Sequence, residues 1–291
     1  MASKTILVTG CSAGGLGATM ALALARRSHR VFATARTVSK IPAELSSLPN
    51  VTVLALDTTS ADSIASAAAA VGTVTGSAGL DVLVNNAGVG YTIPVLDVDV
   101  DTAQHVFDVN VFGVVRMVQG FADLMIRSKG RIVNMSTSGT VVNTPWIAAY
   151  TASKSALTSF SETMRLELEP FGVTVVTLMP GAISTHFHDN EPSFRMPEKS
   201  RYAAIKDLIA GWANGKLKPP GIAAEPFVES IIGDIVGPGQ GGVFWRGPYA
   251  GTIKFLSGWS PQWCNDAILK SAGINLGFKE LAQHLSGAER K

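Results

Sequence analysis

The feature that most constrains the fold of this chain is a series of short apolar runs separated by longer stretches rich in small residues. The runs cover residues 5–9, 30–34, 51–56, 80–84, 131–135 and 173–179, with a late one at 242–246. Their Val, Ile and Leu residues follow one another instead of alternating with polar ones, the pattern of strands covered on both faces. Helical stretches fall between them at 16–28, 61–71, 101–128 and 149–169, the last stopped by Pro170 and Gly172. This β–α alternation specifies an α/β fold with one open, doubly wound parallel sheet.

The order weakens after Pro180. Residues 184–225 are rich in Pro, Phe, His and charge around one helical patch at 200–212, and read as a lid over a substrate. Residues 245–291, with Trp245, Trp259 and Trp263, read as a C-terminal extension. No second domain is expected: residues 1–291 form one Rossmann-type unit.

The stretch TGCSAGGLG at 9–17 follows the first apolar run. By itself a glycine-rich segment is equally well a sharp strand-to-helix turn. Its place in the first such turn of a β–α–β series favours a pyrophosphate cradle, in which backbone N–H groups and a helix N-terminus meet a dinucleotide. The second strand ends in RVFATAR. An acidic residue there would hold the adenosine ribose of NAD; Ala35 and Arg36 stand instead, and a guanidinium suits the 2′-phosphate of NADP(H), with Lys40 as a helper. Asp57 would either accept from an adenine amino group or cap the next helix in competition with Thr58, Thr59 and Ser60.

YTASK sets Tyr150 and Lys154 four apart, on one helix face. A phenol with pKa near 10 is a poor acid at neutral pH. An ammonium about 4 Å away, at an effective dielectric near 20, contributes roughly 4 kcal/mol, enough to make Tyr150 a usable proton donor to a carbonyl.

Composition bounds the partners. The formal net charge is +2, and Lys and Arg are scattered, so no nucleic acid is expected. Cys11 and Cys264 form neither a disulfide framework nor a metal cluster, which fits a reducing compartment. The N-terminus leaves no room for a signal peptide, and no run of 18 apolar residues is evident. The expected location is therefore the cytoplasm.

Taken in order, TGCSAGGLG, the Asp57 segment, NNAG (85–88), Asn110 in FDVNVFG, NMSTS (134–138), YTASK and PGAIST (180–185) resemble the short-chain dehydrogenase/reductase family over about residues 4–250. The resemblance implies a tetrad. Tyr150 is the acid, Lys154 binds the nicotinamide ribose, Asn110 holds a water that relays protons, and a hydroxyl orients the substrate carbonyl. The family's serine lies thirteen residues before the tyrosine; that slot is Thr137, with Ser138 as the alternative. It also implies a dinucleotide site of Gly10, Ser12, Gly15, Leu16, Gly17, Asn86, Ala87, Gly88, Pro180, Gly181, Ile183 and Thr185, besides Arg36, Asp57, Tyr150 and Lys154. The cradle carries one more residue than the usual T-G-x-x-x-G-x-G spacing. It resembles the variant of fungal NADPH-dependent acyl-dihydroxyacetone-phosphate-reductase-like members, which include lipid reductases and natural-product tailoring enzymes.

The resemblance implies NADPH-dependent reduction of a ketone or aldehyde. The Thr137 departure leaves a redox-neutral isomerase, dehydratase or cyclase as the alternative. An apolar pocket wall is expected from Tyr91, Val141, Val142, Pro145, Trp146, Phe187, Phe194, Met196 and Tyr202, and suits a hydrophobic substrate. His186 and His188 flank Phe187 as candidate substrate contacts; two histidines two apart do not by themselves have the spacing of a metal site, and no metal is expected. Family analogy also points to a homodimer or homotetramer through the helices at 101–128 and 149–169. Peripheral membrane contact of the Trp-rich tail is a further option.

Overall fold

In the computed structural model, which describes residues 2–187, 192–261, 266 and 275–288, the first strand, β1 (Thr5–Val8), buries Ile6 and Val8 against one helical layer and Leu7 against the other. Strand side chains alternate faces, so a continuous apolar run is what a two-faced core requires. β2 (Arg30–Ala35), β3 (Val51–Ala55), β4 (Val82–Asn85), β5 (Arg131–Met135) and β6 (Thr174–Pro180) follow the same rule. Two short strands, β7 (Ile183–Ser184) and β8 (Ile222–Ala223), pair with each other, and β9 (Gly242–Arg246) closes the main sheet. Its order is β3-β2-β1-β4-β5-β6-β9, parallel throughout, and it reverses direction of growth at β1. Ligands of open α/β sheets bind beyond the carboxyl ends of the strands at that switch point.

The helices are α1 (Leu16–Arg26), α2 (Ala43–Ser46), α3 (Ala61–Thr75), α4 (Val100–Phe107), α5 (Gly113–Ser128), α6 (Ala148–Leu168), α7 (Lys206–Ala213), α8 (Ala224–Val236), α9 (Ala250–Trp259) and α10 (Phe278–Ala288). Met20 and Leu24 of α1 share one core with Phe227, Ile231 and Ile235 of α8. Ile64 of α3 and Met117, Phe121 and Met125 of α5 share the other.

Three findings depart from the sequence expectations. The helix expected over 101–128 is broken by a π turn at Asp108–Phe112, which carries Asn110 into the interior. No element was expected between 226 and 241, yet α8 is a core helix; its Pro226 falls in the first turn, where an N–H is not needed. Finally, Val100–Ser128 is long and apolar enough to cross a membrane by length and composition, with a mean hydropathy of 1.4, although no such run was expected. Half of its most apolar 18-residue window is buried, and Met117, Phe121 and Met125 pack into the core with Ile64 of α3, as in a core helix.

Candidate active site

The chain turns between β1 and α1 through the glycine-rich loop. Gly14 has φ +72°, and a Cβ there would lie 2.6 Å from the imidazole Nδ1 of His186. Gly17 sits so close beneath the loop that a Cβ would be 2.4 Å from the Gly10 carbonyl oxygen. The His186 imidazole at Gly14 and the Gly10 backbone at Gly17 thus take the space where side chains would stand. Gly15 is the N-cap of α1, and no side chain caps that helix. Its positive end, at Gly15 and Leu16, opens onto a cavity of about 500 Å³. Asn86 fixes the loop from below, its Nδ2 donating to the Thr9 and Gly10 carbonyls at 2.8 and 3.3 Å. Thr9 Oγ1 in turn accepts from the Asn86 and Ala87 N–H groups at 3.0 Å.

The cavity runs along the carboxyl ends of the strands. Its lining includes Gly10, Ser12, Gly15, Leu16, Arg36, Lys40, Asp57, Asn86, Ala87, Gly88, Thr137, Tyr150, Lys154, Pro180, Gly181, Ile183, Thr185 and Phe187. Arg36 and Lys40 are exposed beyond the end of β2. Asp57 does not cap α3; Ser60 does, accepting from the Ser63 N–H at 3.2 Å. Burial works to raise the Asp57 pKa. It is outweighed by the Thr59 N–H and hydroxyl, at 2.9 and 2.7 Å, and by Arg36 and His105, so the carboxyl is held below its ordinary value.

Tyr150 and Lys154 occupy the first turns of α6. Lys154 is 5% exposed, and its Nζ donates to the Met135 carbonyl at 2.8 Å. Burial lowers its pKa from 10.5 to about 8. The ammonium therefore stays largely protonated at neutral pH. Tyr150 is half-buried, with the Phe187 ring centroid 5.6 Å from its own. Asn110 is fully buried. It exchanges hydrogen bonds of 2.9 Å with the backbone of Val89 and donates to Ser153 Oγ at 3.0 Å. Ser153 donates on to the Tyr150 carbonyl at 2.7 Å. A Cβ on Gly88 would lie 3.1 Å from Asn110 Oδ1 and 3.4 Å from Lys154 Nζ, so a side chain there would obstruct the space between them.

Thr137 lines the cavity, and its Oγ1 accepts from the Gly139 N–H at 3.1 Å. Ser138 is buried outside the lining. Ser136 is engaged with α6, its Oγ 2.7 Å from Thr158 Oγ1 and donating to the Lys154 carbonyl at 3.2 Å.

Some expected wall residues lie elsewhere. Val142 and Trp146 line a separate open hollow with Val95 and Asn143. Trp146 adopts φ +71°, and its ring packs against Tyr202 and Phe278 instead of facing the cavity. His186 is outside the lining because it seats on Gly14, its N–H donating to the Gly14 carbonyl at 3.1 Å. Asn110 and Gly17 lie beneath the cavity wall. His188, Trp263 and Cys264 lie outside the described residues. Thr144, Ile147, Trp212, Lys218 and Pro219 also line the cavity, without any motif to announce them. Ser153, inside YTASK, could have been singled out as a small polar residue next to the lysine.

The glycine loop fits a pyrophosphate, since Gly10, Ser12, Gly15 and Leu16 line the cavity and the end of α1 that opens onto it has no side-chain cap. A doubly wound sheet with such a cradle and a Tyr–Lys helical turn is the arrangement of a Rossmann-type oxidoreductase. The chain belongs to the short chain dehydrogenase family, whose model matches residues 4–195.

The chain is 39% identical over 276 residues to the short-chain dehydrogenase ptmH of Penicillium ochrochloron, covering 94% of this chain and 100% of that protein. It is 35% identical over 243 residues to the NADPH-dependent 1-acyldihydroxyacetone phosphate reductase of Schizosaccharomyces pombe, covering 82% and 80%. Among solved structures, a short chain dehydrogenase from Burkholderia cenocepacia in complex with NADP superposes with a TM-score of 0.73 at 26% identity, covering 92% of this chain and 98% of that one.

Proposed function

We propose that this protein reduces a ketone or aldehyde on a hydrophobic compound, lipid-like or a natural-product intermediate, with NADPH as reductant and Tyr150 as general acid. One observation carries the reading. A single cavity is lined by Thr137, Tyr150 and Lys154 beyond β5, and by Arg36 and Lys40 beyond β2, with β1, β4 and the glycine loop between. Arg36 and Lys40 would hold the 2′-phosphate, the loop the pyrophosphate, and Lys154, Ile183 and Thr185 the nicotinamide nucleoside. NADPH, when bound, supplies the hydride.

The chain's own residues manage the proton. The Lys154 ammonium, one helical turn from Tyr150, favours the phenolate and so strengthens the phenol as an acid. As negative charge develops on the substrate oxygen, the Tyr150 hydroxyl transfers its proton to it. Thr137 Oγ1 accepts from Gly139 and has its own proton left to donate to the same oxygen. Asn110 holds the Val89 backbone and Ser153, and through Ser153 the carbonyl of Tyr150. Its Oδ1 keeps a second lone pair for a proton-relaying water. Reduction is preferred to redox-neutral chemistry because the relative from Schizosaccharomyces pombe is named as an NADPH-dependent reductase.

Fluorescence titration with NADPH and NADH, followed by NADPH oxidation with a panel of hydrophobic ketones, tests the reading. Tighter binding of NADPH and turnover with bulky ketones are expected. Failure to bind NADPH would overturn it. The same reading includes a cytoplasmic homodimer or homotetramer, supported by exposed Phe112, Phe160 and Leu166 on the π turn and α6 and tested by light scattering. Peripheral membrane contact rests on exposed Phe255 and Trp259 of α9, and vesicle co-sedimentation checks it.

A further inference from the structure

Trp212 is 2% exposed, yet it is part of the cavity lining, alongside Thr144, Ile147 and the Phe187 that stands against Tyr150. Its cluster partner Trp146 is next in sequence to the lining residue Ile147 and four residues before Tyr150, which sets Trp212 toward the Tyr150 end of the cavity. It is not held there by the sheet. Its indole Nε1 donates to the Asn275 carbonyl at 3.2 Å. It packs in a small apolar cluster with Ile205, Ile209, Trp146 and Leu276, separate from the two cores on the sheet faces.

The segment that carries Asn275 and Leu276 is itself pinned. The Gly277 N–H donates to Asn275 Oδ1 at 2.9 Å, and Asn275 Nδ2 reaches Glu280 of α10 at 3.2 Å. Gly277 has φ +71°, and a Cβ there would press on Ile205 and Leu208 at 3.2 Å, so the chain runs hard against the lid. Phe278 meets the Trp146 ring edge-on at 5.8 Å.

We propose that residues 275–281 form a strap that sets the size of the substrate end of the cavity by holding Trp212, which makes Trp212 a specificity-determining residue and Leu276 its positioning residue. A bulky indole fixed at a pocket wall excludes large substituents, and a wall released from its support admits them. The strap's contacts are with Ile205, Leu208 and Trp212 of the lid and with Trp146, none of them a residue assigned to the dinucleotide, so cofactor affinity is expected to change little with it. The inference rests on the reductase reading for its link to substrate choice; the hold on Trp212 does not.

The test uses the full-length protein and the variants Trp212→Ala, Trp212→Phe and Leu276→Ala. Hydrogen exchange over residues 203–213 is measured without ligand. kcat/KM is measured with NADPH over a series of ketones of increasing bulk, and the NADPH Kd by fluorescence. Leu276→Ala is expected to raise exchange over 203–213 and to shift the large-to-small kcat/KM ratio about tenfold in the same direction as Trp212→Ala. NADPH affinity is expected to stay within about twofold. Trp212→Phe, which keeps a ring but loses the N–H, shifts the ratio less and the same way. Unchanged exchange with Leu276→Ala, a uniform loss over all ketones, or an NADPH Kd that moves in step would each overturn the proposal. If the wild type reduces no ketone, the reductase reading falls, and the exchange measurement alone decides whether the strap holds the lid.

Discussion

At the nucleotide end of the cavity much of the wall is backbone: the glycine loop at Gly10 and Gly15, the Ala87–Gly88 step, and the N-terminus of α1. At the substrate end it is side chains, Thr137, Ile147, Tyr150, Phe187 and Trp212, delivered by the end of β5, α6 and the lid. A backbone wall accepts any neighbour that leaves its φ values alone and fails abruptly when a Cβ is added. A side-chain wall changes shape with each substitution. The first suits a constant ligand, and the second suits a ligand that differs among relatives.

The junction of the two ends carries the largest expected effect. Tyr150→Phe removes one hydroxyl where the ends meet, and kcat should fall by roughly 10²- to 10⁴-fold, the usual worth of a general acid. NADPH affinity should change little, because the phenol is a minor part of the nucleotide site. Stopped-flow single turnovers and NADPH titration separate the two. A variant of wild-type activity would remove Tyr150 from the chemistry.

Arg36→Asp tests the nucleotide end by charge. It removes one or two charge-assisted hydrogen bonds to a 2′-phosphate, each about 1.5–3 kcal/mol, and puts a carboxylate in their place. The NADPH:NADH ratio of kcat/KM should drop by about 10- to 100-fold, equally for every ketone. A ketone-dependent change would mean that the two ends are not separable.

Gly14→Ala tests the same end sterically. The new methyl group meets His186, and the φ of +72° costs about 1–2 kcal/mol for a non-glycine residue. NADPH Kd should rise about tenfold. Adding His186→Ala should restore the steric share and leave the φ share. If the double variant is no better than Gly14→Ala, the imidazole is not what crowds the loop.

The same contrast explains what could be read in the sequence. The strands were legible because burial on both faces leaves no alternation, and the glycine-rich turn because one β–α connection fixes a local spacing. The π turn at Asn110 was not, since a single extra residue in a helical turn leaves the apolar pattern almost unchanged. α8 was hidden by Pro226, by the prolines at 219 and 220 before it and by the glycine-rich stretch after it. Trp146, expected at the wall, and Trp212, the actual wall residue, differ only in long-range packing: one turns to Tyr202 and Phe278, the other is held by Asn275. Nothing local encodes that choice.

The smallest expected effect draws one buried group from each end. Lys154, beside Tyr150, has its pKa lowered by burial from 10.5 to about 8. Between those values the unfolded chain binds a proton that the folded one does not, so stability rises with pH above about 8. Cys11, under the glycine loop, is moved the other way: burial, against one backbone hydrogen bond, raises its thiol from 9.0 to about 12. From 9.0 upward the folded protein keeps a proton that the unfolded chain gives up, so stability falls with pH. The two slopes, each at most about 1.4 kcal/mol per pH unit, cancel where they overlap. The cofactor-free wild type should therefore gain about 1 kcal/mol between pH 8 and pH 9, level off, and lose stability above the lysine's ordinary value of 10.5. Urea denaturation across that range measures it. Lys154→Met should erase the rise and leave the later fall. Cys11→Ala should let the rise continue to about 10.5. A rise between pH 8 and pH 9 that survives Lys154→Met would locate the buried base elsewhere in the fold.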